Sequence, residues 1–303
     1  MDNDSVFNTV IILFIIMCAG FYGRRKNIIS EELNKGLTEV LLRITLPMMI
    51  ITSFTHTYSK NLGSSMIKLV IYSIVIHVIL IVISRFAFFK LPKDKKDILR
   101  FVAIFSNCGF MGFPVLKSAY GDLGVLYGSV FNIPFYVFVW TLGIALYTDK
   151  KDPHALRKIF FNPGIISVVI GLIIFATSIK LPVAIVSAIK IIGDMTTPLS
   201  MMIIGYMISG VKLKEIFKEI SLYYGSFVRL IVAPTITYMF FSLMGADKTI
   251  TNVAVIIEAM PVAAVCAIYA KSANKNPRYA SLAVFITTLL SLLTIPVVLY
   301  IIN

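Results

Sequence analysis

Of the 303 residues, 58% are hydrophobic and 14% charged, against about 25% charged in soluble globular chains, and the mean hydropathy is +0.89. This excludes a soluble globular protein, and apolar runs of about 18 to 27 residues are too long for barrel strands but suit helices crossing a hydrocarbon core of roughly 30 Å. The net charge of +13 does not mark a nucleic-acid partner, because the basic residues lie between the apolar runs in the pattern a membrane imposes.

Ten spans are predicted, near residues 6–23, 36–54, 64–89, 99–119, 122–147, 161–179, 183–209, 219–243, 249–271 and 278–302. Counting residues within two of a span end with the neighbouring loop, the odd-numbered loops carry 19 of the 28 Lys and Arg residues, the even-numbered loops carry four (Lys60, Lys117, Lys180 and Lys248), and five lie inside spans. Short cytoplasmic loops retain positive charge, so the odd loops are expected in the cytoplasm, with both termini outside and the chain multi-pass in the cell membrane.

The first span begins MDNDSVFNTV, with Asp2 and Asp4 where a secretory signal has basic residues, so it reads as a membrane helix rather than a leader. Cys18, Cys108 and Cys266 fall within spans without CxxC or Cys/His spacing, which gives no disulfide framework and no metal site. Pro47 in span 2, Pro198 in span 7, Pro234 in span 8 and Pro296 in span 10 read as helix kinks. His77, in the Ile/Val-rich third span, reads as a hydrogen-bonded core residue.

Span 4 contains SNCGFMGFPVLK: Asn107, Gly109, Gly112 and Pro114 within eight residues. In span 5, Gly124 and Gly128 read as a close-packing surface, while Asn132, just before Pro134, either shares a cavity with Asn107 or packs in the core. Lys190 and Asp194 of span 7 are four apart and fit a helix-face ion pair. Span 9 carries Glu258 beside Met260-Pro261.

A weak repeat relates the halves. Phe7-Asn8 and Phe161-Asn162 are 154 apart, Pro47 and Pro198 are 151 apart, and Val130-Phe131 and Val284-Phe285 are 154 apart. Five spans per repeat is odd, so the halves enter the membrane in opposite senses. The expected architecture is an all-α integral membrane protein of ten transmembrane helices in a 5+5 inverted repeat, with repeat 1 over residues 1–150 and repeat 2 over 151–303. The offset places Asn107 opposite Glu258, each followed by helix breakers: Gly109, Gly112 and Pro114 in one half, Pro261 in the other. Unwound backbone in lipid is costly unless it lines a cavity, so broken helices 4 and 9 are the expected binding site. The candidate substrate-binding residues are Asn107, Cys108, Gly109, Asn132, Met260, Pro261 and Val262. No Lys or Arg of span 9 lies within a turn of Glu258, and a buried carboxylate without a fixed partner suits a coupling residue for H+ or Na+, with protons preferred.

The stretch NCGFMGFPVLKSAYG (Asn107 to Gly121) resembles the auxin efflux carrier family, which includes plant auxin exporters and bacterial permeases for organic acids such as malate. The likeness recurs in AMPVAAVCAIYAK (Ala259 to Lys271), in Trp140 to Gly143, and in Gly193-Asp194 with Pro198 and Gly205. It implies an elevator-type secondary carrier of a small organic anion, often dimeric, with spans 1, 2, 6 and 7 as scaffold and spans 3–5 and 8–10 as the moving transport domain. The short loop TDKKDPHALRKIF, residues 148–160, resembles the prokaryotic branch, and Glu258 resembles the glutamate on the crossover helix of the sodium–bile acid symporters. The alternatives are an uncoupled uniporter, a sodium-coupled carrier or a channel. A membrane enzyme is not expected: HExxH, paired intramembrane aspartates and GxSxG are absent from the sequence, as is a nucleotide-binding loop, so no cofactor is implied.

Overall fold

The computed structural model describes residues 3–55, 60–148, 157, 160–179, 181–210 and 219–302. Among them the fold is all-helical, and the one extended pairing is an isolated antiparallel bridge between Ser106 and Val262. The helices are α1 Asn3–Arg25, α2 Glu31–Ser53, α3 Lys60–Ala87, α4 Lys93–Ile104, α5 Cys108–Tyr147, α6 Pro163–Thr177, α7 Val183–Ile208, α8 Ile220–Leu243, α9 Lys248–Ala259, α10 Val265–Ser272 and α11 Pro277–Ile302. Most of the loop at 148–160, Lys180 and the side chain of Lys60 lie outside the described residues.

Six of these helices (α2, α3, α5, α7, α8 and α11) are long and apolar enough to cross a membrane, and α6 is apolar but shorter. The ten expected spans do not correspond one to one with these helices, for a physical reason. Expected span 4 is cut between α4 and α5, expected span 9 is cut between α9 and α10, and α5 runs from the end of span 4 through all of span 5.

Local chemistry sets the ends. The Asn162 side chain accepts hydrogen bonds from the Gly164 and Ile165 N–H groups at 2.9 and 3.3 Å, with Pro163 preset at the first turn of α6. Asp247 does the same for α9, accepting from Thr249 N–H at 2.8 Å. Pro47 and Pro234 each follow a π-helical segment, Leu41–Thr45 and Val228–Val232. The wider turn takes up the missing proline donor and its ring, so neither helix breaks there.

The chain forms two compact units. The first comprises Met1–Val70, Gly109–Ile133 and Arg157–Gly210. In it α1 lies against the second half of α7, and the second half of α2 lies against α6 and the first half of α7. A Cβ at Gly20 would fall 2.0 Å from the Met202 carbonyl oxygen, and one at Gly205 1.9 Å from that of Met17, so the two helices touch backbone to backbone. Gly121, at φ 60° and ψ −145°, breaks α5 and folds the chain back so that Leu116 O would lie 2.7 Å from a Cβ on Gly124. The close packing expected of Gly124 is thus present, between the two helical stretches of α5 on either side of Gly121. Across the turn Lys117 pairs with Asp122, and at 3.4 Å with Asp194, which also holds Lys190 at 3.4 Å. The Lys190–Asp194 pair is thus present and forms part of a larger network.

The second unit comprises Ile71–Cys108, Pro134–Leu156 and Val211–Asn303. Its core is built on α11, against which α4, α8, α9 and α10 all pack. Rings from α4, α5 and α10 interlock: Phe101 meets Tyr147 at 5.5 Å and Tyr269 at 5.9 Å, and the Tyr147 hydroxyl lies 3.0 Å from Cys266 Sγ. At one end Lys95 pairs with Glu219 at 2.7 Å and stacks over Tyr279, whose hydroxyl meets Ser221 Oγ at 2.7 Å.

Candidate functional site

The second unit contains a crossing of two interrupted helices. α4 ends at Ile104 and Phe105 turns extended (φ −107°, ψ 106°); α9 ends at Ala259 and Met260 turns extended (φ −67°, ψ 151°). Pro261 explains the second break, because its ring disfavours helical geometry in the residue before it. The first break has no proline. It falls on Ser106 and Asn107, short polar residues that compete for backbone hydrogen bonds, and it is held by the partner strand. Asn107 N–H donates to Pro261 O at 2.7 Å and Ala263 N–H donates to Phe105 O at 2.9 Å, so the two extended pieces run antiparallel. Val262 N–H donates to the Thr287 hydroxyl of α11 at 3.3 Å, tying the crossing to the core.

Each site residue expected from sequence can now be placed. Asn107, Met260, Pro261 and Val262 lie on the crossed strands and are buried. Cys108, Gly109 and Gly112 lie in the π-helical turn that opens α5, with the Cys108 thiol donating to Ser106 O at 3.4 Å. Pro114 is the second residue of the α-helical stretch that follows, a position where proline is tolerated. The chain thus leaves the helix at Phe105, upstream of the glycines expected to break it.

Asn132 belongs to the first unit. It is 1% exposed, and neither its amide nitrogen nor its amide oxygen has a hydrogen-bond partner among the described residues. An orphaned buried amide costs about 1–3 kcal/mol, so an unfilled pair of donor and acceptor sites needs a reason.

Sequence reasoning missed Arg229. From the π-helical segment of α8 its guanidinium reaches three acceptors: Ala103 O at 3.0 Å, Glu258 O and the Glu258 carboxylate. Arg229 and Glu258 are 0% and 1% exposed, a fully buried ion pair. Ala103 and Glu258 supply carbonyls from the last turns of α4 and α9, where unpaired acceptors and the negative ends of two helix dipoles meet. This corrects the expectation that Glu258 lacks a fixed partner: the compensating charge comes from span 8 rather than span 9. A signal for it was present, because Arg229 lies 152 residues after His77 (229 − 77), within one residue of the 151 that separate Asn107 from Glu258. His77 is buried, with Nδ1–H donating to Ser73 O at 2.8 Å and its ring stacked on Phe138 at 5.5 Å, and it lies within electrostatic reach of both Glu258 and Arg229.

A separate cavity of about 420 Å³ lies among α8, α9 and α11. Its lining is apolar apart from the hydroxyls of Thr235, Tyr238 and Thr294, which suits hydrocarbon rather than an anion.

A crossing of broken helices whose extended backbone is fixed by neighbours, with an amide at the junction and a buried cation beside it, is a form of solute site found in transporters. The family comparison agrees: residues 5–154 and 152–299 match the family described as Membrane transport protein. The chain belongs to that family, the auxin efflux carrier family that its motifs resemble. It is 25% identical over 304 residues to an uncharacterized transporter of Methanocaldococcus jannaschii, covering 95% of this chain and 96% of that one. The uncharacterized transporter YfdV of Escherichia coli K12 is 23% identical over 302 residues, covering 95% of each chain. A Rhizobium meliloti protein whose name assigns it provisionally to malonate transport is 25% identical over 213 residues, 67% of this chain and 66% of that one. The protein is a multi-pass membrane transporter.

Proposed function

We propose that the protein is a secondary carrier of a small organic anion, a mono- or dicarboxylate, that works by elevator-type alternating access. The observation that carries this reading is the crossing of the Phe105–Cys108 and Met260–Ala263 segments, which brings two helix interruptions and Asn107 together at one place rather than along a continuous pore. Asn132, with an unfilled donor and acceptor, is the second substrate group of the reading. Ten spans in a 5+5 inverted repeat fit the two helix breaks and the near-constant sequence offset of 151 to 154 residues. Spans 1, 2, 6 and 7 act as scaffold, through which two copies associate, and spans 3–5 and 8–10 move. This grouping takes spans 3, 4 and 5 whole, whereas the compact units divide each of them, so it rests on the family resemblance. The orientation keeps both termini outside the cell membrane, on the basis of the loop charges.

Carboxylates are preferred over other anions because a side-chain amide such as that of Asn132 can donate to a carboxylate oxygen, and because the family the motifs resemble includes organic-acid permeases. Malonate heads the panel on account of the Rhizobium relative's name. The test is counterflow in liposomes with labelled malonate, malate, acetate and indole-3-acetate. Saturable exchange of at least one of them is expected. Unitary currents, or no exchange of any carboxylate, would overturn the reading.

A further inference from the structure

We infer that Arg229 is a resident cation at the helix crossing, which fills the place that a mobile Na+ or proton would take at Glu258, so that Glu258 serves to hold Arg229 and carries no coupling ion. The inference deepens the carrier reading above and rests on it for the word coupling, but the charge arrangement stands by itself. Two helix C-termini end at the crossing, each bringing unpaired carbonyls and a partial negative charge, and Glu258 adds a full one. Such a point demands a cation. Arg229 meets the demand from inside the protein, donating to one carbonyl of each helix and to the carboxylate.

A guanidinium suits the role because it stays charged and presents several donors in a rigid fork. A bound metal ion would need the same oxygens, Ala103 O, Glu258 O and the Glu258 carboxylate, and all three are already taken. A proton on Glu258 would discharge the group that balances a fully buried arginine. Among the described residues, His77 on α3 and Cys108 at the start of α5 also lie within electrostatic reach of the pair. His77 stands 152 residues before Arg229, within one residue of the 151 that separate Asn107 from Glu258, so the near-constant offset brackets both members of this charged cluster.

The inference predicts that a cation requirement appears when Arg229 is removed. Detergent-purified wild type, Glu258→Gln, Arg229→Gln and the double variant Arg229→Gln/Glu258→Gln are unfolded thermally in NaCl and in KCl of equal ionic strength, at several pH values. Wild type should melt at the same temperature in both salts. Arg229→Gln should gain about 5 °C or more in Na+ or on acidification, the size expected of a ligand present at about 100 times its Kd. The double variant, which keeps His77 and Cys108, should lose that gain. Stabilisation of wild type by Na+ over K+ would overturn the proposal, as would a double variant as sensitive as the single one. If Arg229→Gln cannot be purified, the wild-type comparison still decides, together with Arg229→Lys, which should remain insensitive to the salt exchanged. None of these measurements uses transport, so a failure of carboxylate counterflow is read separately.

Discussion

Asn107 and Asn132 are both buried amides, but they sit in different circumstances. Asn107 N–H is tied to Pro261 O, so its backbone is part of the crossing whatever its side chain does. Asn107→Ala should therefore leave the fold and membrane insertion intact and weaken carboxylate binding about tenfold or more, the size of one lost hydrogen bond to a charged group. Binding at wild-type affinity in a direct assay would make Asn107 a packing residue. The Asn132 amide has no hydrogen-bond partner among the described residues to lose. Replacing Asn132 with Leu, which has the same branched skeleton, should raise the melting temperature of the empty protein while reducing binding, because it removes an unsatisfied amide that the proposed reading assigns to the substrate. A lower melting temperature with unchanged binding would show instead that the amide is needed by the core. Arg229 shows why residue-scale reading of the sequence fell short. Span 9 itself carries no basic neighbour for Glu258, whereas intramembrane charges pair between helices, and span order gives no distance between span 8 and span 9.

At the level of elements, the sequence showed where helices are weak better than where they end. Pro261 marks the α9 break closely, because proline acts on the residue immediately before it. Gly109 and Gly112 did not mark the α4 break. Glycine lowers the cost of leaving a helix without forcing it, and the partner strand fixed the exit at Phe105 instead. The π-helical segments were not legible: a widened turn is chosen by packing and by how a later proline is accommodated, and no residue type signals it. The close approach of α1 and α7 gives a sharp test at this scale. Gly205→Val would drive a side chain into the Met17 carbonyl, and neither backbone can yield without separating the helices. The variant should lose about 1–3 kcal/mol of stability or more, seen as a lower melting temperature and poorer yield, with Gly20→Val behaving alike. Gly36→Ala is the control, since nothing lies within 4 Å of a Cβ there.

For the whole molecule, a ten-span topology requires that α9, the break and α10 together make one crossing of the membrane. α9 has 12 residues and α10 has 8, which at 1.5 Å per residue gives about 18 and 12 Å, each less than a hydrocarbon core of roughly 30 Å. Taken alone, either would be a re-entrant stub. Their contacts with α11 argue for a single traverse. The Asn252 amide near the start of α9 donates to Ile302 O at the far end of α11, Val262 in the break donates to Thr287 near its middle, and α10 leads through residues 273–276 to its first residue, Pro277. The broken segment thus runs antiparallel along a 26-residue helix of about 39 Å, long enough to span. Composition and apolar run length made the membrane class legible, and charge placement made the orientation an inference. The break, however, hid inside a run that reads as one continuous helix. Single cysteines in place of Lys248 and Lys271, in a background lacking Cys18, Cys108 and Cys266, test crossing and orientation together. Both lysines are exposed and lie at opposite ends of the segment. An impermeant thiol reagent applied to intact cells should label Lys248→Cys and leave Lys271→Cys unlabelled until the membrane is opened. Labelling of both from outside would make the segment re-entrant, and labelling of Lys271→Cys alone would reverse the orientation drawn from the loop charges.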